Sequence, residues 1–132
     1  MGIINWPAVG VGALAFFLVG ALWYGVLFGK AWQREAGLTD ERLRASRMPR
    51  LFGLCFVLEL MIAWMLAHLI ARTSPAPYVV MMFAFGFGAF LMTPAIGINY
   101  LYQRKSFKLF AIDAGHLIVG MMAMGGVFVL LG

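Results

Sequence analysis

Apolar side chains divide the chain into four long stretches separated by shorter polar connections. The stretches cover about 6–28, 51–71, 79–102 and 110–131. Each has roughly the 20 residues that a helix needs to cross the hydrocarbon core of a bilayer. They are continuously apolar rather than alternating, which favours helices over the strands of a membrane barrel. The pattern predicts an all-α fold, a single domain over 1–132 that forms an integral membrane bundle of four transmembrane helices.

The composition agrees with this interpretation. Hydrophobic residues make up 64% of the 132 residues and charged residues 11%, against about 45–50% and about 25% in soluble domains. The lipid bilayer is therefore the first predicted partner. The single Cys55 excludes an intrachain disulfide and a multi-cysteine metal site, and in an apolar run we interpret it as a packing side chain.

The positions of the basic residues predict the topology. Nine of the ten flank or lie within two connections: Lys30, Arg34, Arg42, Arg44, Arg47 and Arg50 in 29–50, and Arg104, Lys105 and Lys108 between the last two stretches. Only Arg72 lies on the other side. The positive-inside rule assigns the basic side to the cytoplasm, so both termini are predicted to be outside. This placement accounts for the net charge of +5, and no nucleic-acid partner is predicted.

The cytoplasmic connection, 29–50, is the longest polar segment. Thr39 followed by Asp40 and Glu41 predicts the start of a short helix, with Thr39 as N-cap and two acids in the first turn. Pro49 is predicted to end that helix. Its basic face either rests on anionic headgroups or belongs to a solvated loop that only sets the topology.

Five polar side chains fall in the predicted cytoplasmic half of the membrane. Ionisable residues within spans are costly and suggest function by default. At 1.5 Å per residue, Glu59 lies about 12 Å, His116 about 9 Å and Asp113 about 5 Å from the inner boundary. The five are Glu59, Thr93, Asn99, Asp113 and His116.

Two interpretations of this polar cluster remain open. In one, Glu59, Asp113 and His116 form a proton-exchanging or cation-binding site. In the other, the five side chains hydrogen-bond to each other and hold the helices together. Asp113 is also favoured simply by its position near a helix N-terminus.

Small residues predict the helix-packing faces. Ala89, Thr93 and Gly97 recur at every fourth position of the third stretch, and Ala111 and Gly115 do so in the fourth. This spacing allows helix backbones to approach closely. Pro94 is predicted to kink the third helix.

No cofactor and no metal site are predicted. His68 and His116 differ in depth by about 16 Å, too far to ligate one haem iron. The thioether sulfurs of Met61 and Met65 are soft ligands of the kind that bind Cu(I), but methionine is more often a packing residue. Neither a nucleophile–base set nor a phosphate loop is present, so no enzymatic activity is predicted.

Two motifs resemble those of a known family. The segment Gly20-Ala-Leu-Trp-Tyr-Gly-Val-Leu-Phe-Gly-Lys-Ala-Trp32 is similar to the opening signature of a bacterial family of small membrane proteins, the domain of unknown function number seventeen sixty-one. Phe110-Ala-Ile-Asp-Ala-Gly-His116 resembles its closing motif, although an aromatic usually precedes that histidine and Gly115 precedes it here. The resemblance covers essentially the whole chain and implies a four-span, multi-pass protein of the bacterial inner membrane, without an activity.

The aromatic residues of the first motif have two interpretations. Trp23, Tyr24 and Trp32 lie near the predicted inner boundary, at about the depth of Asp113. They either anchor the protein at the interface or form an aromatic wall beside the polar cluster.

We expect a small non-enzymatic accessory or oligomeric subunit of a membrane complex, whose partner is a second copy or a larger assembly. The alternative is a small proton- or cation-coupled transporter that uses Glu59. The strong charge bias argues against an antiparallel dimer, in which the chain would insert both ways. An enzyme acting on lipid ranks last.

Overall fold

The structure, a computed structural model, describes residues 3–45 and 48–132. This part of the chain is helical and contains no strand. Four of its helices are long and apolar enough to cross a membrane: span 1 (Trp6–Leu27), span 2 (Met48–Thr73), span 3 (Pro77–Tyr102) and span 4 (Phe107–Leu131). The prediction of an all-α bundle with four transmembrane helices is confirmed, and the observed ends lie within three residues of the predicted ones.

Local hydrogen bonds explain where the spans begin. The side chain of Asn5 caps span 1 by accepting from the N–H of Ala8 at 3.1 Å, and Ser106 caps span 4 by accepting from Leu109 at 3.1 Å. The Asn5 amide also donates to the carbonyl of Leu131 at 3.0 Å. The start of span 1 and the end of span 4 therefore lie side by side, and both termini are at the same end of the bundle.

Two short helices join spans 1 and 2 at the opposite end. The first connecting helix, Gly29–Ala36, ends at Gly37 in the left-handed conformation, φ 72°. The second, Asp40–Ala45, begins as predicted, because Thr39 Oγ1 accepts from the N–H of Arg42 at 3.2 Å. Pro49 lies in the first turn of span 2 rather than at the end of this helix, and a proline there costs no helical hydrogen bond. Arg47, predicted to be on the basic side, lies outside the described residues.

All four spans contribute to one core, in which Leu66 of span 2 is fully buried. Span 4 packs along span 1 on one side and along span 3 on the other. The core contains fully buried Phe16, Met121 and Met124. Span 2 packs mainly on span 1, where Phe17 lies between Phe52 and Phe56 at centroid distances of 5.9 and 6.0 Å.

Glycines let neighbouring spans approach span 4. A Cβ on Gly115 would lie 2.7 Å from Trp23 Cζ2, one on Gly120 2.9 Å from Phe16 Cε2, and one on Gly125 2.7 Å from the Cβ of Ala84. These glycines are five residues apart, whereas the sequence analysis predicted a helix-packing face with small residues at every fourth position. Of the two residues predicted there, Gly115 packs against Trp23 and Ala111 is exposed.

The packing side of span 3 also includes a residue that the sequence analysis did not name. Gly88 is buried, and a Cβ there would lie 3.0 Å from the Cα of Ile118. Gly97 faces Phe110, with 3.1 Å from its Cβ position to Cε1. The other two predicted residues, Ala89 and Thr93, are half-buried.

The close contact at Gly125 leads to a test of the packing. Gly125→Val is expected to lower the free energy of unfolding by about 1–3 kcal/mol, the usual cost of overpacking, because Ala84 leaves no space for a side chain. Gly126→Val is the matched control, since nothing lies within 4 Å of its Cβ position. Unfolding of the two purified variants in detergent measures the difference, and equal losses would contradict the packing of spans 3 and 4.

Candidate functional site

The carboxyl group of Asp113 joins three of the four spans. It is 9% exposed. The Tyr24 hydroxyl of span 1 donates to its Oδ1, and the Tyr100 hydroxyl of span 3 donates to its Oδ2. Each carboxyl oxygen thus has a phenol donor from a different helix. We call Tyr24, Tyr100 and Asp113 the tyrosine–aspartate cluster.

Trp23 makes a second polar contact between spans 1 and 4. Its indole Nε1–H donates to the carbonyl of Ile112 at 2.8 Å, the residue before Asp113. The indole ring lies directly over Gly115, where a Cβ would approach it to 2.7 Å. The two motifs singled out in the sequence, in spans 1 and 4, therefore pack against each other.

A π-helical turn over Trp23–Leu27 accompanies these contacts. Such turns insert one residue into a helix and are frequent at functional sites. Here two consecutive side chains, Trp23 and Tyr24, both bond to span 4.

The His116 ring lies one turn beyond Asp113 on span 4. It packs edge-on against Phe16 and Tyr24, with centroids at 5.3 and 5.0 Å. Its Nε2 is buried without a hydrogen-bond partner, and a Cβ on Gly20 would lie 3.0 Å from that nitrogen. Gly20 thus leaves room for the imidazole between spans 1 and 4.

Glu59 is separate from the tyrosine–aspartate cluster. It is 9% exposed and lies on the buried face of span 2, one turn from Phe56 and one from Ala63. It is eleven residues from Met48, or about 16 Å along the helix, near the middle of the span. Its Oε1 is buried and has no hydrogen-bond partner, so the structure leaves this carboxyl group unsatisfied.

The remaining members of the predicted polar cluster are not hydrogen-bonded to these acids. Thr93 Oγ1 donates to the carbonyl of Gly88 in its own span at 2.7 Å, and Asn99 is exposed. The backbone N–H of Thr93 donates to the same carbonyl and ends a second π-helical turn, Phe87–Met92, one residue before Pro94. Across residues 3–45 and 48–132, no three His, Cys, Asp or Glu side chains group as metal ligands.

Three of the four aromatic residues of the first motif line one side of the cluster. Trp23 and Tyr24 bond to span 4, and Trp32 of the first connecting helix packs edge-on against Tyr24 at 5.2 Å. All three are half-buried. Their contacts place an aromatic wall beside Asp113.

The sequence analysis missed Tyr100 and Gly20 as members of this region. A signal was present for Tyr100, because a phenol inside an apolar span needs a hydrogen-bond partner and Asp113 has nearly the same predicted depth. Gly20 had no such signal, since its role depends on which span faces His116.

The tyrosine–aspartate cluster leads to a test by substitution. Tyr24→Phe and Tyr100→Phe should each lower the free energy of unfolding by roughly 0.6–2 kcal/mol, the range for hydrogen bonds between membrane helices. Asp113→Ala should cost more than either, because it leaves two phenols without their acceptor. Tyr102→Phe is the matched control, since Tyr102 is 84% exposed and should not change the unfolding curve in detergent. A loss at Tyr102 equal to the other two would contradict a specific role for the cluster.

Comparison with known proteins identifies the family. The family model described as a protein of unknown function (DUF1761) matches residues 7–129. Neither the curated proteins nor the solved structures contain a match. The matched range includes all of the tyrosine–aspartate cluster, His116 and Glu59. The chain belongs to the DUF1761 family of proteins of unknown function.

Proposed function

We propose that this protein is a non-enzymatic subunit that associates with other transmembrane helices through the inner half of span 2. The partner helices belong either to further copies of the chain or to a larger membrane complex. The observation that carries the proposal is that every residue from 49 to 55 is exposed. Seven consecutive residues cover nearly two helical turns, so most of the circumference of this part of span 2 is exposed, although Phe52 packs against Phe17 of span 1.

The chemistry of this surface suits helix association. Leu51, Phe52 and Leu54 provide large apolar side chains, 47–56% exposed. Gly53 has nothing within 4 Å of its Cβ position. A small residue allows a second helix to approach the backbone closely, which is how membrane helices associate when lipid is as apolar as their side chains.

The proposal also includes the orientation of the chain in the membrane and its location in the cell. Eight of the nine basic residues assigned to the cytoplasmic side are among the described residues, and their connections lie at the end of the bundle opposite the termini. The positive-inside rule then puts the termini in the periplasm and the basic end in the cytoplasm of a bacterium, in its inner membrane.

Cys55 provides a direct test, because it is exposed on the proposed surface and is the single cysteine of the chain. A thiol-specific bifunctional reagent applied to native membranes should join Cys55 to a second copy or to one defined partner. The matched control is Cys55→Ser with Phe90→Cys, which moves the thiol to a site on span 3 that is 71% exposed and should give no such product. Absence of a product at Cys55, with a purified monomer, would contradict the proposal.

Proton- or cation-coupled transport is the second candidate, favoured by the unsatisfied carboxyl group of Glu59. A buried carboxyl oxygen without a partner is costly, and a bound proton or cation relieves that cost. Span 2 contacts span 3 mainly in Pro77–Gly86, the half of span 3 nearest the turn between them.

A flux assay in proteoliposomes tests this candidate. If the protein transports, a pH gradient should drive ion or proton movement that Glu59→Gln abolishes, because glutamine keeps the shape but cannot release a proton at ordinary pH. Glu41→Gln, in the exposed second connecting helix, is the control and should retain the flux. Equal flux with and without Glu59 would exclude Glu59 from transport.

A further inference from the structure

A cavity of about 290 Å³ lies at the basic end of the bundle, between spans 3 and 4. It is open to the surroundings on one side. Neither the association surface on span 2 nor Glu59 is part of it. Its lining residues are Gly97, Tyr100, Leu101, Lys105, Ser106, Phe107 and Phe110.

The local fold holds this cavity open. Gly97 faces the Phe110 ring, and a Cβ there would lie 3.1 Å from Cε1, so a larger residue would push the ring into the cavity. Tyr100 forms another wall and is fixed by its hydrogen bond to Asp113. Its ring meets Phe110 edge-on at 6.4 Å.

The turn between the two spans positions the polar side of the cavity. Arg104 adopts the left-handed conformation, φ 60°, which reverses the chain after span 3. The N–H of Lys105 then donates to the carbonyl of Tyr100 at 3.0 Å. This bond places Lys105 at the edge of the cavity, at the level where the apolar part of span 3 ends.

The charges around the cavity favour an anion. Lys105 lines it, and Arg104 and Lys108 are exposed nearby in the chain. One carboxylate lies at the rim, that of Glu35, and it accepts a hydrogen bond from the Ser106 hydroxyl at 2.5 Å. Lys105 is the basic side chain of the lining, and Arg104 and Lys108 add positive charge within three residues of it along the chain.

The opposite side of the cavity is apolar and exposed. Leu101 is 78% and Phe107 80% exposed. These side chains lie at the end of the spans, where the hydrocarbon core meets the headgroups. A small anion such as inorganic phosphate would use only the lysine side of this cavity, whereas a phospholipid would use both sides.

We propose that this cavity is a binding site for an anionic phospholipid. Its headgroup phosphate lies against Lys105, and an acyl chain runs along Leu101 and Phe107. Basic pockets between transmembrane helices on the cytoplasmic side are a known mode of anionic lipid binding. The site rests on the proposed orientation, which puts the basic end of the bundle in the cytoplasm, but not on the association surface, since its lining residues lie on spans 3 and 4 and in the turn between them.

Native mass spectrometry of the full chain in detergent tests the site. Titration with phosphatidylglycerol and with phosphatidylcholine of the same acyl chains should give tighter binding of phosphatidylglycerol. Lys105→Gln should weaken phosphatidylglycerol binding about fivefold, which corresponds to about 1 kcal/mol per basic residue near the surface, and Lys105→Arg should retain it. Leu101→Trp, a substitution at an exposed position, should fill the cavity and weaken both lipids.

Arg44→Gln is the matched control, because Arg44 is exposed in the second connecting helix at the same end of the bundle and does not line the cavity. It should leave phosphatidylglycerol binding unchanged. Equal affinity for the two lipids, or the same loss in Arg44→Gln as in Lys105→Gln, would overturn the site. Complete displacement of phosphatidylglycerol by millimolar inorganic phosphate would also overturn it, by showing that only a free anion is recognised.

Discussion

The hydrogen bonds of Asp113 are the interaction on which the rest of the bundle depends. An acid inside an apolar span is costly unless its oxygens are hydrogen-bonded. Here the donors are two phenols, Tyr24 from span 1 and Tyr100 from span 3. A single side chain of span 4 therefore sets the positions of two neighbouring helices, and the contacts around it follow from that geometry.

Several local features are needed to bring these donors to Asp113. The π-helical turn at Trp23–Leu27 allows both Trp23 and Tyr24 to bond to span 4, and Gly115 leaves space for the indole. On the other side, Gly97 lets Phe110 pack beside Tyr100. The glycines and the widened turn allow the helices to approach closely. A Cβ at either glycine would crowd the facing aromatic ring.

The two acids within the membrane spans differ in their surroundings. Asp113 is satisfied and holds spans 1, 3 and 4 together. Glu59 has a buried oxygen without a partner and lies on span 2, whose residues 49–55 are exposed. Span 2 joins the core through Leu66, so its exposed surface and the unpartnered oxygen of Glu59 both lie in the half nearest Met48. This placement is the physical basis for proposing that association, or proton exchange, involves span 2.

The sequence predicted the number and extent of the spans because continuous apolarity and length directly determine which segments cross a bilayer. Thr39 was also predictable, since a cap is a local hydrogen bond. The partners of Asp113 were not predictable, because they lie 13 and 89 residues away along the chain and depend on helix rotation.

The glycine contacts of span 4 recur at every fifth residue and face two different helices. Gly115 and Gly120 face span 1, and Gly125 faces span 3. The prediction assumed one packing face with small residues at every fourth position. It therefore found Gly115 but also included Ala111, which is exposed.

Hydrogen–deuterium exchange of the native chain and of Asp113→Ala in nanodiscs tests the central claim most directly. If Asp113 joins three spans, its loss should increase exchange together in the segments around Tyr24, Tyr100 and position 113, while the half of span 2 nearest Thr73, around Leu66, stays protected. An increase confined to span 4 would contradict the account, because it would show that spans 1 and 3 are held in place without Asp113.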